Sequence, residues 1–478
     1  MKIPSVEIAA VLGPFNPWWR GEAGFEFLPH WRRAAFRELS HWLRSPPAAR
    51  AVLLSGARQV GKTTLMLQAI DELLRQGVPA ANILYVTFDH PIVKLAGIDA
   101  VLQAWREREP RQPGPEYLFL DEAQFIRDWG TWIKHQVDFH KDRRIAFTGS
   151  AMPLIEVGQE SGVGRWHTIR LTTLSFYEYQ QIKRLDLAAL PPLRSLRELY
   201  DWAPADFART AEAASAYLGH FHEYLVRGGF PQTALVDNIT QAQRLLREDI
   251  IDKVLKRDMT ALFGVRRVLD LEHTFLYLCM HDGGLLDMAD LCGNLEVKRP
   301  TAQHFIELLE ATHLIYRLLP HGYGKDVLRA KAKIYLADAA IAPAVMLKGK
   351  GLLDDPAALG VATETAVFKH LYARYYPQSI RFSYWRGARD REVDLLAEVG
   401  GELIPFEVKY RAQHTGAREL KGLIELCDTK RLPRAYVVTK ALDDFGPLPL
   451  PGRTDSPLMR VPAALLCNWM GATELAPA

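Results

Sequence analysis

Eight consecutive residues, Gly56-Ala57-Arg58-Gln59-Val60-Gly61-Lys62-Thr63, fit the pattern G-x-x-x-x-G-K-[ST], and Thr64 follows. Holding a phosphate chain takes converging backbone N–H groups, a cation and a hydroxyl, and this order supplies all three. Gly56 and Gly61 let the backbone curl so that its N–H groups cradle phosphate oxygens at a helix N-terminus, where the dipole favours anions. Lys62 would reach the β- and γ-phosphates as a point charge, and the Thr63 hydroxyl would ligate Mg²⁺. The flanks suit the motif. Ala51 to Ser55 is a short apolar strand run, and Thr63 to Gln76 carries apolar residues at helical spacing (Leu65, Ala69, Leu73). A nucleoside triphosphate site is predicted here.

Its catalytic partners should follow on later strands. Tyr117-Leu118-Phe119-Leu120 runs into Asp121-Glu122, four apolar residues ending in two acids. Asp121 would hold the Mg²⁺ shell and Glu122 would polarise the attacking water. Ile145-Ala146-Phe147-Thr148 ends in Gly149-Ser150, which places Ser150 as a polar sensor beside the acids. Apolar strands (Ile83 to Phe88 is another) alternate with helical stretches. That alternation predicts an α/β domain with a parallel sheet and its site at the carboxyl edge.

A second set of reactive residues lies near the C-terminus. Glu392-Val393-Asp394 opens an alternating run, Gly400-Gly401 makes a turn, and Glu407-Val408-Lys409 closes the return run. A two-residue hairpin turn there sets Asp394 opposite Glu407 and Glu392 opposite Lys409, with all four side chains on one face. Two facing carboxylates repel. A divalent metal between them would remove the penalty, with Lys409 placed to orient or deprotonate water. A strand pair with one solvated face would alternate in the same way, and spacing does not separate the two readings.

Several of these segments together resemble one family, the prokaryotic AAA+-like ATPases with a C-terminal domain of the DUF4143 type. The resemblance rests on the phosphate loop, Asp121 to Gln124 (DEAQ), Thr148 to Ser150 (TGS), Gly164-Arg165, Leu171 to Tyr179 (LTTLSFYEY) and Tyr224 to Pro231 (YLVRGGFP). It covers nearly the whole chain and implies an ATPase core using ATP and Mg²⁺, a winged-helix region and a nuclease-like C-terminal domain. Arg165 falls at the family's Gly-Arg pair. It would neutralise transition-state charge in cis or in a neighbouring copy, or form a plain surface ion pair. Asp394 with Glu407-Val408-Lys409 looks like half of the PD-(D/E)XK nuclease motif, and Glu364 matches the acid those folds supply from their first helix. The resemblance makes Glu364, Asp394 and Glu407 metal ligands and Lys409 a catalytic residue. Val393 stands where those nucleases usually carry proline.

Around these sites the chain is expected to divide into an aromatic-rich helical segment (1–50), the P-loop domain (51–180), a helical region (181–265), a winged-helix-like domain (266–350) and a nuclease-like α/β domain (355–478). Trp18, Trp19, Trp31 and Trp42 in the first segment would pack, or form a lid over the nucleotide base. Helices at 269–280, 285–292 and 300–312 with strands at 314–319 and 333–336 make the winged-helix pattern. Thr301, Gln303 and His304 would face outward at the start of the third helix. Lys298, Arg299, Lys325, Arg329, Lys331 and Lys333 would meet DNA phosphates, unless the module serves protein packing. Gly228-Gly229-Phe230-Pro231 reads as a structural turn. After Pro356 come a helix, three strands, a helix and a strand, an αβββαβ order.

Composition narrows the class without naming a partner. The 478 residues are 48% hydrophobic and 24% charged with a net charge of +3, ordinary for a globular chain and too weakly basic to argue for a polyanion. Cys279, Cys292, Cys427 and Cys467 show neither disulfide nor metal spacing, His220 and His222 lack companion ligands, and no 18-residue apolar stretch exists. A reduced, cytoplasmic protein without a membrane span is expected. Two functions fit: an ATPase acting on nucleic acid through a Mg²⁺-dependent nuclease-like domain, or a nucleotide switch that binds a protein partner and carries an inactive nuclease-like scaffold.

Overall fold

The computed structural model describes residues 3–22, 25–149, 164–322, 324–375, 380–387, 391–450 and 456–475. The chain divides into two compact units, Met1–Leu171 with Ala311–His313, and Thr172–Glu310 with Leu314–Ala478.

The first unit is built on five strands: β1 (Ala51–Gly56), β2 (Ile83–Thr87), β3 (Glu116–Asp121), β4 (Arg143–Gly149) and β5 (Trp166–Leu171). They lie in the order β2-β3-β4-β1-β5, and every neighbouring pair is parallel. Unbroken apolar runs suit this sheet because helices cover both faces. Leu53, Leu84, Val86, Leu118, Leu120, Ile145 and Phe147 form its core with Ile8 and Leu12 of α1 (Ser5–Phe15) and with Val101 and Trp105. Parallel strands aim their carboxyl ends the same way, so the loops after β1, β3 and β4 meet at one edge.

β2 is an edge strand, and side chains cover its open hydrogen-bonding groups. Asn16 accepts from Tyr85 N at 2.7 Å and donates to Tyr85 O at 2.9 Å. The Trp18 and Trp19 indoles both donate to Ile83 O, at 3.3 and 3.0 Å. Ile83 begins β2, at the end away from the carboxyl edge. Trp18 and Trp19 therefore cover an edge and are not placed to stack on a base bound at the phosphate loop.

The second unit contains the anticipated helix-helix-helix-hairpin order: Val268–Met280, Met288–Leu295, Arg299–Ala311, then antiparallel β6 (Ile315–Leu318) and β7 (Lys333–Leu336). Farther along, the helix Pro356–Tyr375 precedes β8 (Arg381–Arg386), β9 (Glu392–Val399) and β10 (Glu402–Lys409), then the helix Lys421–Lys430 and β11 (Ala435–Thr439). The αβββαβ order is present. β12 (Gly446–Pro447), β13 (Leu458–Pro462) and the helix Ala463–Leu475 extend it, giving a six-stranded sheet ordered β12-β13-β11-β10-β9-β8. The β9–β10 register runs from Glu402 opposite Val399 to Phe406 opposite Leu395, as a two-residue Gly400-Gly401 turn requires.

The Gly228-Gly229 turn is structural in this unit. Gly228 has φ +81°, and a Cβ on Gly229 would lie 2.5 Å from Leu174 O. Asp338 fastens the turn. Its carboxylate accepts from Thr173 Oγ1 at 2.6 Å, Gly229 N at 3.0 Å and Ala340 N at 3.1 Å. Asp338 is buried, so Asp338→Ala removes three hydrogen bonds at once and is expected to cost about 2–4 kcal/mol. Thermal unfolding should show the second unit melting several degrees lower. A melting point equal to wild type would contradict the assignment. Among the described residues no helix is long and apolar enough to cross a membrane.

Candidate functional site

The phosphate loop joins β1 to the helix α2 (Lys62–Arg75). Gly61, at φ +96°, turns the chain into the helix, and Leu65 N donates to Gly61 O at 3.0 Å as the first helical bond. The amides of Lys62, Thr63 and Thr64 therefore lie in the turn where a helix has no internal acceptors. Lys62 is buried, and its ammonium donates to Gly56 O at 2.9 Å and Ala57 O at 2.8 Å, which arches the loop over its own lysine. Arg33 braces the far side of the loop, donating to Val60 O at 2.9 Å.

Asp121 ends β3 at the same edge. It accepts from Thr63 Oγ1 at 2.7 Å, from Tyr85 OH at 2.9 Å and from Thr148 Oγ1. A threonine hydroxyl and a carboxylate in contact are two hard oxygen ligands side by side, so the residues present fit Mg²⁺. When bound, the ion would offset charge on the β- and γ-phosphates, with Thr63 and Asp121 as its protein ligands. Burial, followed by the charge of Asp121, keeps the Tyr85 phenol protonated as a donor. Glu122 stands just beyond at φ +53°, its N–H held by Thr148 Oγ1 at 2.9 Å and its carboxylate by Gln124. Burial raises the Glu122 carboxyl above the ordinary range and the Lys62 charge opposes it, so Glu122 is a better proton acceptor than an exposed glutamate.

The second unit brings Glu364, Glu392, Asp394, Glu407 and Lys409 together, with an addition. Lys333 of β7 projects its ammonium into the cluster, 2.9 Å from Glu364 Oε1, 3.1 Å from Glu392 Oε1 and 3.1 Å from Asp394 Oδ1. Lys409 Nζ donates to Glu407 Oε1 at 2.5 Å, and Tyr335 OH to Glu364 Oε1 at 2.6 Å. Burial works against every charge here. For Asp394 the ammoniums of Lys333 and Lys409 outweigh it and hold the carboxyl low. For Glu407 burial and the neighbouring Asp394 charge prevail and push the carboxyl up.

This geometry bears on three expectations. Between two of the expected metal ligands, Glu364 and Asp394, stands the Lys333 ammonium rather than open space. Among the described residues no group of three or more His, Cys, Asp or Glu is arranged to hold a metal ion. Glu392 pairs with Lys333 rather than with Lys409. Lys333 itself, expected on a solvated wing, has a side chain only 4% exposed.

Comparison with known proteins decides the class of the first site. A family model described as "AAA domain" matches residues 48–180. That stretch of the chain is similar to AAA domains. Two models for domains of unknown function, DUF8612 and DUF4143, match residues 218–352 and 359–447. An uncharacterized protein of Haemophilus influenzae is 26% identical over 390 residues, covering 79% of this chain and 86% of its own. One from Mycobacterium tuberculosis is 25% identical over 422 residues, covering 85% and 80%. Among solved structures, a DNA polymerase III gamma subunit-related protein of Thermotoga maritima aligns with a TM-score of 0.27 and 11% identity, over 58% of this chain and 97% of its own. AMPPCP-bound DnaA of Aquifex aeolicus aligns at 0.26 and 12%, over 60% and 93%. Scores of that size carry no functional argument.

Within the AAA domain, Gly56 to Thr64, Asp121 and Glu122 stand at one sheet edge as anticipated. Ser150 lies outside the described residues, and Thr148, two positions earlier, makes the contacts to Asp121 and Glu122. Arg165 does not belong to this edge. Its carbonyl accepts from Ala51 N at 3.0 Å at the start of β1, and its guanidinium pairs with Asp138 at 2.7 Å. Gly56 lies five residues farther along β1, about 16 Å at strand rise. A role in cis is therefore corrected. The register sets Arg170 opposite Ser55 instead, next to the loop. His313 reaches the same point: buried, at φ +57°, with Nε2 3.0 Å from Ser55 Oγ. Burial, then the charges of Arg170 and Lys62, push it down to about 3, so it is neutral at physiological pH. Tyr85, Thr148, Arg170 and His313 were not legible as site residues, because each sits in an ordinary apolar strand or at a helix end.

Proposed function

We propose that the protein hydrolyses ATP in its AAA domain and that the nucleotide state controls how residues 266–350 engage DNA. The observation that carries the first part is the contact of Thr63 with Asp121, which joins the phosphate loop to the acid that precedes Glu122. ATP with Mg²⁺ is the cofactor this chemistry calls for. The second part is supported by exposed residues at the start of the helix Arg299–Ala311: Lys298, Arg299, Gln303 and His304 are all solvent-facing. Lys325, Arg329 and Lys331 on the hairpin connection are exposed as well, Lys331 pairing with Asp287. A winged helix presents such residues to base edges and phosphates. Coupling is supported by the path of the chain. Ala311–His313, the last residue of that helix and the two after it, is grouped with the first unit and ends on the hydrogen bond of His313 to Ser55, the residue before the phosphate loop.

Fluorescence anisotropy of the full chain on labelled duplex DNA tests this reading. With a non-hydrolysable ATP analogue and with ADP, the dissociation constants should differ by roughly tenfold, a coupling of about 1.4 kcal/mol. Substituting Lys298 and Arg299 together by alanine should lower the salt dependence by about two counterions. DNA binding that ignores the nucleotide state would refute the coupling. Absence of DNA binding in every state would favour the alternative, an ATP-driven switch for a protein partner, in which self-assembly through Arg165 of a neighbouring copy has a place.

A further inference from the structure

The carboxylate cluster of the second unit carries its own cation. All four oxygens of the central acids already accept from a donor within the chain. Asp394 Oδ1 takes Lys333 Nζ at 3.1 Å and Oδ2 takes Val408 N at 2.9 Å. Glu407 Oε1 takes Lys409 Nζ at 2.5 Å and Oε2 takes Asp394 N at 3.3 Å. The Lys333 ammonium has three donors and three carboxylates around it, those of Glu364, Glu392 and Asp394. It approaches from outside the sheet that carries Glu392, Asp394 and Glu407, since β7 lies with β6 in a separate two-stranded sheet. A buried lysine surrounded in this way stays charged because leaving would strand the acids.

We propose that Lys333 is the resident cation of this cluster, occupying the place between the acids that a divalent metal would need, so that the wild-type domain neither binds a metal there nor cleaves phosphodiesters through it. The geometry makes the two cations exclusive. Mg²⁺ sits about 2.1 Å from carboxylate oxygens and demands octahedral order, whereas these oxygens are spread around an ammonium at hydrogen-bond distance. A divalent ion entering beside Lys333 would also meet a like charge with little water to screen it. Removing the ammonium leaves Glu364, Glu392 and Asp394 facing one another without it, an arrangement that a divalent ion would relieve. The proposal concerns the second unit alone and does not depend on ATP hydrolysis or DNA binding.

The test is Mn²⁺ binding to the nucleotide-free full chain, followed by electron paramagnetic resonance and by thermal unfolding. Wild type and Asp394→Asn should give the same Mn²⁺ titration, and Mn²⁺ should leave the wild-type melting point unchanged. Lys333→Ala should melt roughly 5–10 °C below wild type, take up one additional Mn²⁺, and recover part of that loss when Mn²⁺ is added. The added site should vanish in Lys333→Ala/Asp394→Asn. Wild-type Mn²⁺ binding that Asp394→Asn abolishes would overturn the proposal, as would a folded Lys333→Ala protein without a new site. If Lys333→Ala does not fold, the comparison of wild type with Asp394→Asn still decides, because a metal seat in the native cluster must show there.

Discussion

Lys62→Ala is expected to lower ATP turnover by about two to three orders of magnitude and to weaken nucleotide binding with it. The size follows from where the ammonium sits. Lys62 is buried under the loop, held by the carbonyls of Gly56 and Ala57. A triphosphate brings negative charge into a place where the cation is already fixed, so the charge term acts in a shielded setting and needs little reordering. Alanine removes that charge from ground and transition states alike, so KM and kcat should both suffer. The start of the helix should survive, because Gly61 and the first helical bond do not involve the side chain, while the carbonyls of Gly56 and Ala57 lose their donor. A fluorescent-nucleotide titration with a phosphate-release assay checks this. Normal turnover by Lys62→Ala would remove the phosphate loop from the chemistry.

Glu122→Gln should separate binding from hydrolysis. The carboxylate is held at the carboxyl edge by Gln124, with its own N–H fixed by Thr148, and burial makes it more basic than an exposed acid. Glutamine keeps the shape but cannot take a proton, so the water-activating step should slow by about 10²- to 10⁴-fold while ATP affinity changes little. Asp121 and Thr63, the residues that would hold Mg²⁺, are untouched. The variant should retain ATP through gel filtration where wild type retains ADP. Turnover within a factor of a few of wild type would transfer the base role to another residue.

The contrast between what the chain disclosed and what it hid has a physical pattern. β1, β3 and β4 were legible because a parallel sheet buried on both faces writes itself as unbroken apolar runs, and the loop pattern fixes which end carries the site. The β9–β10 register was legible because Gly400-Gly401 permits one tight turn. Lys333 was hidden. A basic residue beginning a short alternating strand reads as solvated, and only tertiary placement shows three carboxylates around it. Arg165 misled for a related reason: its neighbourhood in sequence matched a catalytic pair, but parallel register carries it to the opposite end of β1. Thr148 and Tyr85 point to Asp121 from strand interiors, where polar residues give no periodic signal. The helix Ala463–Leu475 is apolar on nearly all sides, so its pattern lacks the stripe that marks a surface helix.

The most direct measurement is phosphate release by the full wild-type chain from ATP, with Mg²⁺ and again with the metal chelated. The Thr63–Asp121 pair beside Lys62 and Glu122 predicts multiple turnovers with Mg²⁺ and loss of nearly all activity without it. ATP that binds without being hydrolysed in the presence of Mg²⁺, or release that persists equally after chelation, would contradict the account.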